Sequence, residues 1–188
     1  MKIILASNSP RRRELLSEIC ESFEVLPQNV EEKSNYSRPD LIVKELAKIK
    51  LGNLPVERSE DLIISADTIV YKDGKIYGKP KDKAQAIAYL SELNGAKHFV
   101  YTGVAICCKG KITVFYDKSA VYFKRLSEKE IADYANGGSP MDKAGAYGIQ
   151  DREVVKSYCG SYTNIVGLPM EKLKERLQII LRNTTERI

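Results

Sequence analysis

The stretch that decides the fold is residues 2–30, KIILASNSPRRRELLSEICESFEVLPQNV, where two strand-like segments flank a helix-like one. The apolar run at residues 2–6 predicts the first strand. Ser9 is a good N-cap and Pro10 suits the first helical position, so we predict a helix from Ser9 to about Cys20. The closing segment FEVLPQNV predicts a second strand with an irregular end. This order forms a βαβ unit and indicates an α/β fold.

Three arginines, residues 11–13, lie in the first turn of this helix. A helix N-terminus carries partial positive charge and unpaired N–H groups, so cations there are unfavourable and anions are welcome. A bound phosphate would reverse that cost, because N–H groups, serine hydroxyls and guanidinium groups would converge on its oxygens. Successive helical residues point about 100° apart, so two of the three arginines can share one ligand. A solvated basic turn or a nucleic-acid patch is the alternative interpretation.

The rest of the chain predicts a mixed sheet with interleaved helices. Residues 139–151, SPMDKAGAYGIQD, are expected to form an ordered Gly-rich loop that leads into a strand. We find no repeat, low-complexity segment or linker, and we predict a single domain over residues 1–188. The remaining predictions are helices from Ser37 to near Gly52, from Asp82 to Asn94, from a Ser127–Glu130 capping box to Asn136 and from near Pro169, strands at 62–71, 99–108 and 112–124, and a hairpin turn at Asp73-Gly74.

Composition limits the class of protein. The chain has 188 residues, of which 43% are hydrophobic, and this is enough for a sizeable core. The net charge of +5 agrees with a phosphate-bearing ligand but is too small to demand a polynucleotide. No run of eighteen apolar residues and no signal-peptide pattern is present, so we predict a cytoplasmic protein without a membrane partner.

Cysteine and histidine usage argues against two common kinds of site. His98 is the only histidine, and it stands at the head of a strand-like run where a structural role is expected. A histidine-activated serine or cysteine nucleophile is therefore set aside. Cys107 and Cys108 lie in the apolar segment VAICC and are expected to be small buried residues. A Cys/His zinc site is also disfavoured, because no CxxC pair is formed by Cys20, Cys107, Cys108 and Cys159.

Asp67 is the strongest single candidate for chemistry, since it interrupts the apolar strand LIISADTIVY. Burying a bare carboxylate costs roughly several kcal/mol, so Asp67 needs a cleft, a cation or a metal ion. The alternative is a strand-end or bulge aspartate that bonds to backbone. Glu31 and Glu32 follow the second strand, so carboxylates can gather at neighbouring strand ends. Magnesium needs only one or two of them, because it keeps water and takes other oxygens from substrate phosphates.

Further polar residues lie at positions that suit a phosphate-bearing ligand. Lys79 sits in the tight turn YGKP and can act as a phosphate counter-charge, although most such lysines are surface residues. Lys50, late on the second helix, is equally explained by the helix dipole. In AGAYGIQ, Gly145 and Gly148 allow close backbone approach, and Gln150 can both donate to and accept from a base edge, although a simple turn and strand is a comparable interpretation. The P-loop and dinucleotide patterns are absent.

Five motifs in order resemble those of one known family: LASNSPRRRELL, ISADTIV, YGKP, DKAGAYGIQ and GSYTNIVGLP. They resemble the Maf family of nucleoside triphosphate pyrophosphatases, named for a link to septum formation, over nearly the whole chain. The AGAYGIQ form is similar to the subgroup that acts on dTTP and UTP. Two positions depart from the pattern: Asn8 stands where glycine is common, and Asp151 follows Gln150 where glycine is expected.

The resemblance implies an elongated mixed sheet in two α/β lobes around a cleft, generally as a homodimer. It implies that Asp67 is the proton acceptor that activates water and that Glu32 and Asp67 serve a divalent metal cation, Mg²⁺ or Mn²⁺. Residues associated with substrate choice are Arg11, Thr68 and Gln150. The triphosphate would be held by Ser7, Arg11, Arg12, Lys50 and Lys79.

The expected activity is hydrolysis of dTTP, UTP or modified pyrimidine nucleoside triphosphates to monophosphate and pyrophosphate, in a house-cleaning role with a link to cell-division arrest. The first rival is a nucleic-acid-binding or septum-formation regulatory protein without catalysis, in which Asp67 is structural. The second is a triphosphatase that releases orthophosphate from the γ position. We expect no stable nucleic-acid partner.

Overall fold

The computed structural model describes residues 1–27, 29–52, 60–137 and 140–185. Two short 3-10 helices, Pro140–Asp142 and Ala144–Ala146, lie between the fourth α-helix and the last strand. The strands are β1 (Ile3–Leu5), β2 (Glu24–Val25), β3 (Leu62–Lys72), β4 (Lys75–Tyr77), β5 (Lys97–Cys108), β6 (Lys111–Phe123) and β7 (Val155–Cys159). The helices are α1 (Pro10–Ser17), α2 (Pro39–Ile49), α3 (Lys83–Leu93), α4 (Glu128–Gly137), α5 (Tyr162–Val166) and α6 (Met170–Thr185).

The strands form one mixed sheet in the order β2-β1-β3-β5-β6-β7, with β4 paired to β3. Strand β1 runs parallel to β2 and to β3, as a βαβ opening requires. The pairs β3–β4, β3–β5, β5–β6 and β6–β7 are antiparallel. The predicted α/β fold with a central mixed sheet is confirmed.

Strand β3 has a gap along one of its two edges. Its first part, Leu62–Ile64, pairs with β1, and its last part, from Val70, pairs with β4. On the opposite edge β5 pairs with β3 continuously from Leu62 to Tyr71. The residues between the two partial neighbours, Asp67 and Thr68 among them, therefore border an opening in the sheet. This gap explains how a polar residue can stand in the middle of an apolar strand.

Helix α2 lies directly on the sheet because β5 has glycine where the helix crosses. A Cβ added to Gly103 would be 2.1 Å from the carbonyl oxygen of Val43. Nearby, the hydroxyl of Ser65 donates to the carbonyl of Ala47 at 2.6 Å, which pins the helix to β3. This close packing brings Lys50, the C-cap residue of α2, to the gap in β3.

Two large apolar clusters lie at different ends of the sheet. The first joins α3, α4 and the 3-10 segment to the sheet through residues such as Leu90, Val100 and Tyr147. The second joins β1, α1 and α6 through residues such as Leu5 and Leu173. This division agrees with the two-lobed arrangement that the family resemblance implies.

Several predicted boundaries are wrong for identifiable reasons. Helix α1 ends at Ser17 and not near Cys20, because the next amides bond three residues back in a tightened last turn. Strand β2 is only Glu24–Val25, because β1 offers it only two residue pairs. Gln28 of the predicted strand lies outside the described residues. Helix α2 starts after Arg38 and not at Ser37, and Arg38 has no side-chain capping bond.

Local start and stop signals elsewhere are confirmed. Asp82 caps α3 by accepting from the amide of Gln85 at 2.7 Å. Ser127 and Glu130 form the predicted capping box of α4 through bonds of 2.7 Å and 3.3 Å. The turn between β3 and β4 has positive φ at both central residues, 47° and 85°, as a type I′ hairpin requires. None of the helices in the described ranges has the length and apolar character that crossing a bilayer requires.

Candidate active site

A cavity of about 420 Å³ opens at the gap in β3. It is bordered by the start of α1, the end of α2, the YGKP turn and the AGAYGIQ loop. Arg13 is exposed to solvent while Arg11 and Arg12 line the cavity, which is the placement that a ligand shared by two of the three arginines requires. The cavity unites eight of the nine predicted site residues: Arg11, Arg12, Glu32, Lys50, Asp67, Thr68, Lys79 and Gln150.

Asp67 is paired with a cation and lies at a cleft. Its side chain is 10% exposed, and its Oδ1 accepts from Lys50 Nζ at 2.6 Å. The same Lys50 ammonium lies 2.8 Å from Glu32 Oε2, and Glu32 is about half exposed. The buried carboxylate is therefore stabilised by a charge rather than left bare. Lys50 also occupies the helix-end position that its alternative interpretation assigned to it.

The Arg12 guanidinium is held by three neutral oxygens. Nε donates to the carbonyl of Gly167 at 2.8 Å, Nη1 to Ser7 Oγ at 3.1 Å and Nη2 to Thr68 Oγ1 at 3.1 Å. Burial lowers the pKa of the Arg12 guanidinium; the charge of Asp67 opposes this effect, Arg11 adds to it, and Glu32 opposes it. An arginine stays charged even so. Two of its five N–H groups are left over from these three bonds.

Arg11 is held differently, by the 3-10 helix across the cavity. Its Nη1 donates to Asp142 Oδ2 at 2.7 Å and its Nη2 to the Asp142 carbonyl at 3.0 Å. Lys143 Nζ lies 3.3 Å from the other carboxylate oxygen. Burial alone would raise the pKa of Asp142, but the hydrogen bond and charge of Arg11, with Lys143, hold it below its usual value. Asp142 and Lys143 line the cavity and carried no signal in the sequence beyond their place in the loop.

Ser7 is the one predicted site residue that does not line the cavity. It is 7% exposed, and its hydroxyl accepts from Arg12 Nη1 at 3.1 Å and from the Ser9 amide at 3.2 Å. Ser9, the N-cap of α1, lines the cavity instead. Ser7 lies behind Arg12, where it supports the guanidinium, and its direct contact with a triphosphate stays a prediction.

The AGAYGIQ loop is fixed by its own polar groups. The Gly148 amide donates to Asp151 Oδ2 at 2.8 Å, and the Tyr134 hydroxyl donates to the same oxygen. A Cβ on Gly148 would meet Gln150 Nε2 at 2.7 Å, so the absence of a side chain at residue 148 makes room for Gln150. The Gly145 amide donates to the Gly78 carbonyl at 3.0 Å, which joins this loop to the turn that carries Lys79. Asp151, a departure from the family pattern, is thus a residue that holds the loop.

His98 has the structural surroundings expected of it. It is fully buried, and its Nε2 lies 2.7 Å from the hydroxyl oxygen of Tyr147. Burial, with a smaller contribution from Lys72, lowers the pKa of His98 to about 4. Cys108 is buried as expected, but Cys107 is only half-buried, so the prediction for that residue is wrong. In the described part of the chain the cysteines are free.

The donor set of the cavity suits a divalent cation that arrives with a phosphate ligand. Glu32 and Asp67 approach a single ammonium from distances of 2.8 and 2.6 Å, so their oxygens converge on one positive centre. Within the described ranges no cluster of three or more His, Cys, Asp or Glu side chains forms a protein-only cage. Two carboxylates plus phosphate oxygens and water satisfy Mg²⁺ or Mn²⁺, which do not need such a cage.

The chain is similar to known proteins over nearly its whole length, as the five motifs indicate. The model of the Maf-like protein family matches residues 2–180. The chain belongs to the Maf family. A Bacillus anthracis relative named dTTP/UTP pyrophosphatase is 44% identical over 180 residues, covering 94% of each chain. A Thermosipho africanus relative of the same name is 42% identical over 175 residues, covering 92% of this chain and 90% of its own.

A solved structure, that of the Staphylococcus aureus Ham1 protein, resembles this Maf chain only loosely. The TM-score is 0.48 at 15% identity, with 65% of this chain and 72% of the other covered. Membership of the Maf family therefore rests on the sequence match.

Proposed function

We propose that this Maf protein hydrolyses dTTP, UTP and modified pyrimidine nucleoside triphosphates to the nucleoside monophosphate and pyrophosphate. One observation carries the proposal: the buried Asp67 shares a single cavity with a group of cations. The names of the relatives, at 42% and 44% identity, support the choice of substrate. The cations that line the cavity are Arg11, Arg12, Lys50, Lys79 and Lys143.

The charges of the cavity suit a polyphosphate. Five cationic side chains face three acidic ones, so the lining carries a positive surplus. Arginines bind phosphate oxygens through paired N–H groups, and lysines act as point charges. Arg12 is already held in position, so little reorganisation is needed when charge develops on the pyrophosphate leaving group.

Asp67 is the proposed general base. Lys50 engages its Oδ1, which leaves Oδ2 to accept a proton from the attacking water. The water oxygen forms a bond to the α-phosphorus, and the bond from that phosphorus to the α–β bridging oxygen breaks. The electron pair leaves with pyrophosphate, where Arg12 and Lys79 stabilise it. No covalent enzyme intermediate is required.

Glu32 and Asp67 would hold a divalent cation together with the triphosphate. When bound, such an ion neutralises phosphate charge and makes water more acidic. Lys50 lies between the two carboxylates, and its positive charge offsets their mutual repulsion until a ligand binds. We expect turnover to require Mg²⁺ or Mn²⁺ and to stop on addition of a chelator.

The test is a screen of ordinary and modified nucleoside triphosphates with Mg²⁺ and with Mn²⁺, scoring monophosphate, pyrophosphate and orthophosphate separately. The proposal predicts equal amounts of monophosphate and pyrophosphate from dTTP and UTP. Orthophosphate with a nucleoside diphosphate would support the γ-phosphatase instead. Absence of turnover, with salt-dependent binding to polynucleotides, would support the binding protein.

The same family resemblance supports a cytoplasmic homodimer with a house-cleaning role and a link to cell-division arrest. Light scattering coupled to size exclusion should give twice the chain mass of 21.1 kDa. Whether division arrest needs catalysis can be decided by expressing an Asp67→Asn variant beside the wild type. Arrest by both proteins would separate that role from the proposed hydrolysis.

A further inference from the structure

A chain of hydrogen bonds runs from the cavity into the core behind Arg12. Arg12 Nη2 lies 3.1 Å from Thr68 Oγ1, which lies 3.0 Å from Thr102 Oγ1. Thr102 Oγ1 lies 2.8 Å from the backbone carbonyl of Asn164. Thr102 is fully buried on β5 and does not line the cavity. Its hydroxyl touches no ligand position, yet it is two hydrogen bonds from the guanidinium.

The direction of every bond in this chain is fixed by its last member. The Asn164 carbonyl can only accept, so the single hydroxyl proton of Thr102 is directed to it. Thr102 must then accept from Thr68, because its own proton is already used. The proton of Thr68 is used in turn, so Thr68 presents only lone pairs to the guanidinium of Arg12. Thr102 therefore makes Thr68 an acceptor.

Asn164, the last residue in this series of hydrogen bonds, is held firmly in place. Asn164 is fully buried on α5, and its Nδ2 donates to Ser119 Oγ at 2.8 Å and to the Val100 carbonyl at 3.2 Å. The backbone amide of Asn164 donates to the hydroxyl of Ser161, which is the N-cap residue of α5. The C-cap residue of the same helix is Gly167, whose carbonyl accepts from Arg12 Nε. Helix α5 thus holds Arg12 twice, directly through the carbonyl of its C-cap residue Gly167 and indirectly through Asn164 and two threonines.

We propose that Thr102 is a positioning residue that fixes the Arg12 guanidinium for the triphosphate by orienting the hydroxyl of Thr68. The inference rests on the proposed function, since Arg12 is there a triphosphate ligand. Loss of the Thr102 hydroxyl removes the acceptor of the Thr68 proton, so the Thr68 hydroxyl is no longer held in one rotamer. The lone pairs that accept from Arg12 Nη2 then lose their fixed direction, and the guanidinium loses part of its fixed orientation.

The test compares two variants at one site. Thr102→Val keeps the shape and removes the hydroxyl, whereas Thr102→Ser keeps the hydroxyl and removes a methyl. We expect Thr102→Val to lower kcat/KM for UTP by about 10- to 100-fold, because small displacements of a positioned group cost this much. Thr102→Ser should stay close to the wild type. Equal loss in the two variants, or a greater loss with serine, would show a packing role and overturn the proposal.

A double-mutant cycle with Arg12→Lys separates positioning from general damage. Lysine keeps the charge but cannot use the acceptor at Thr68 in the same way. In the Arg12→Lys background, Thr102→Val should cost less than about twofold, the range expected when the interaction is already gone. An undiminished loss in that background would contradict the proposal.

Binding of inorganic triphosphate, measured by calorimetry over the same four proteins, gives the cycle without catalysis. We expect Thr102→Val to weaken this binding about 10-fold in the wild-type background alone. If the wild type cleaves no nucleotide yet the binding cycle shows this coupling, the proposed function fails and the positioning role stands. If nucleotides are cleaved and the cycle shows no coupling, the positioning role fails alone.

Discussion

Two neighbouring cations of the cavity are held in opposite ways. Lys50 lies between two carboxylates, Asp67 and Glu32, at 2.6 and 2.8 Å, so its charge is compensated before any ligand arrives. Arg12 is held by a carbonyl and two hydroxyls, none of which carries charge. An anionic ligand therefore gains more from Arg12 than from Lys50. We therefore propose that Arg12 chiefly binds the triphosphate and that the Lys50–Asp67–Glu32 group carries out the chemistry.

The charge of Arg11 is also compensated, in this case by Asp142. Asp142 accepts two bonds from it through a carboxylate oxygen and a carbonyl. Both side chains are partly exposed, at 27% and 47%, so this ion pair is screened and weak. Because the pair is weak, we expect Arg11 to exchange Asp142 for a phosphate at little cost in free energy.

Substitution of Asp67 should have the largest effect, because Asp67 is the proposed general base. Asp67→Asn keeps size and removes basicity, so kcat should fall by about 10²- to 10⁴-fold while nucleotide binding persists. Steady-state kinetics with UTP and calorimetry with inorganic triphosphate give the two readouts. Glu31→Gln, which removes an exposed carboxylate paired with Lys33, is the matched control. Turnover unchanged by the Asp67 variant would remove Asp67 from the mechanism.

Substitution of Arg12 should have the next largest effect, because Arg12 is the proposed main ligand of the triphosphate. Arg12→Lys keeps the charge but loses the fork that Gly167, Ser7 and Thr68 hold, so we expect a loss of about 10²- to 10³-fold in kcat/KM. Arg13→Lys is the control, since Arg13 is exposed. Equal effects of the two substitutions would mean that the guanidinium acts only as diffuse charge.

A third experiment concerns a buried group that is held neutral. The pKa of His98 is lowered from 6.5 to about 4 by burial and by Lys72, so the fold favours neutral imidazole. The free energy of unfolding should therefore be fully present above pH 6.5 and should fall toward pH 4, by at most about 3 kcal/mol. Urea titrations of the wild type and His98→Gln measure the difference. Parallel pH profiles would contradict this account of His98.

Helix α2 offers a structural way to disturb Lys50 without changing it. Gly103→Ala would push a Cβ to 2.1 Å from the Val43 carbonyl, so the helix must move away from β5. We expect a loss of about 1 to 3 kcal/mol in the free energy of unfolding, with a fall in kcat as Lys50 leaves Asp67. Gly137→Ala is the control, because nothing lies within 4 Å of its added Cβ. Full activity of Gly103→Ala would show that the Lys50–Asp67 contact is dispensable.

The smallest expected effect concerns the ion pair between Arg11 and Asp142. Asp142→Asn removes the charge of its partner, and we expect KM for UTP to fall by about two- to fivefold at low salt because Arg11 is freed for phosphate. The change should shrink at high salt, since exposed charges are screened. A rise in KM would mean that Asp142 contributes to ligand binding and does not compete with it.

Sequence predicted the parts of the site that break a local rule. Arg11 and Arg12 were visible as cations at a helix N-terminus, and Asp67 as a charge in an apolar strand. Thr102 was invisible, because a threonine inside a strand obeys every local rule. Gly167 is 155 residues from Arg12 along the chain, and only the folded sheet brings its carbonyl to the guanidinium.

The fold shows the same division between local and long-range information. Caps such as Asp82 were predictable because the signal lies within one helical turn. The length of β2 was not predictable, because it is set by the three-residue partner β1 and not by the residues of β2. The predicted contact of Ser7 with a triphosphate stays a prediction, and its hydrogen bond with Arg12, five residues along the chain, is a contact that the sequence does not indicate.

The most direct test of the central claim is a crystal structure with α,β-imido-UTP and Mn²⁺, since the imido bridge resists the proposed cleavage. We predict that Arg12 contacts the β- or γ-phosphate with its two remaining N–H groups and that Asp67 Oδ2 faces the α-phosphorus through a water molecule. A triphosphate bound away from Arg12, or an α-phosphorus on the far side of the cavity from Asp67, would contradict the account.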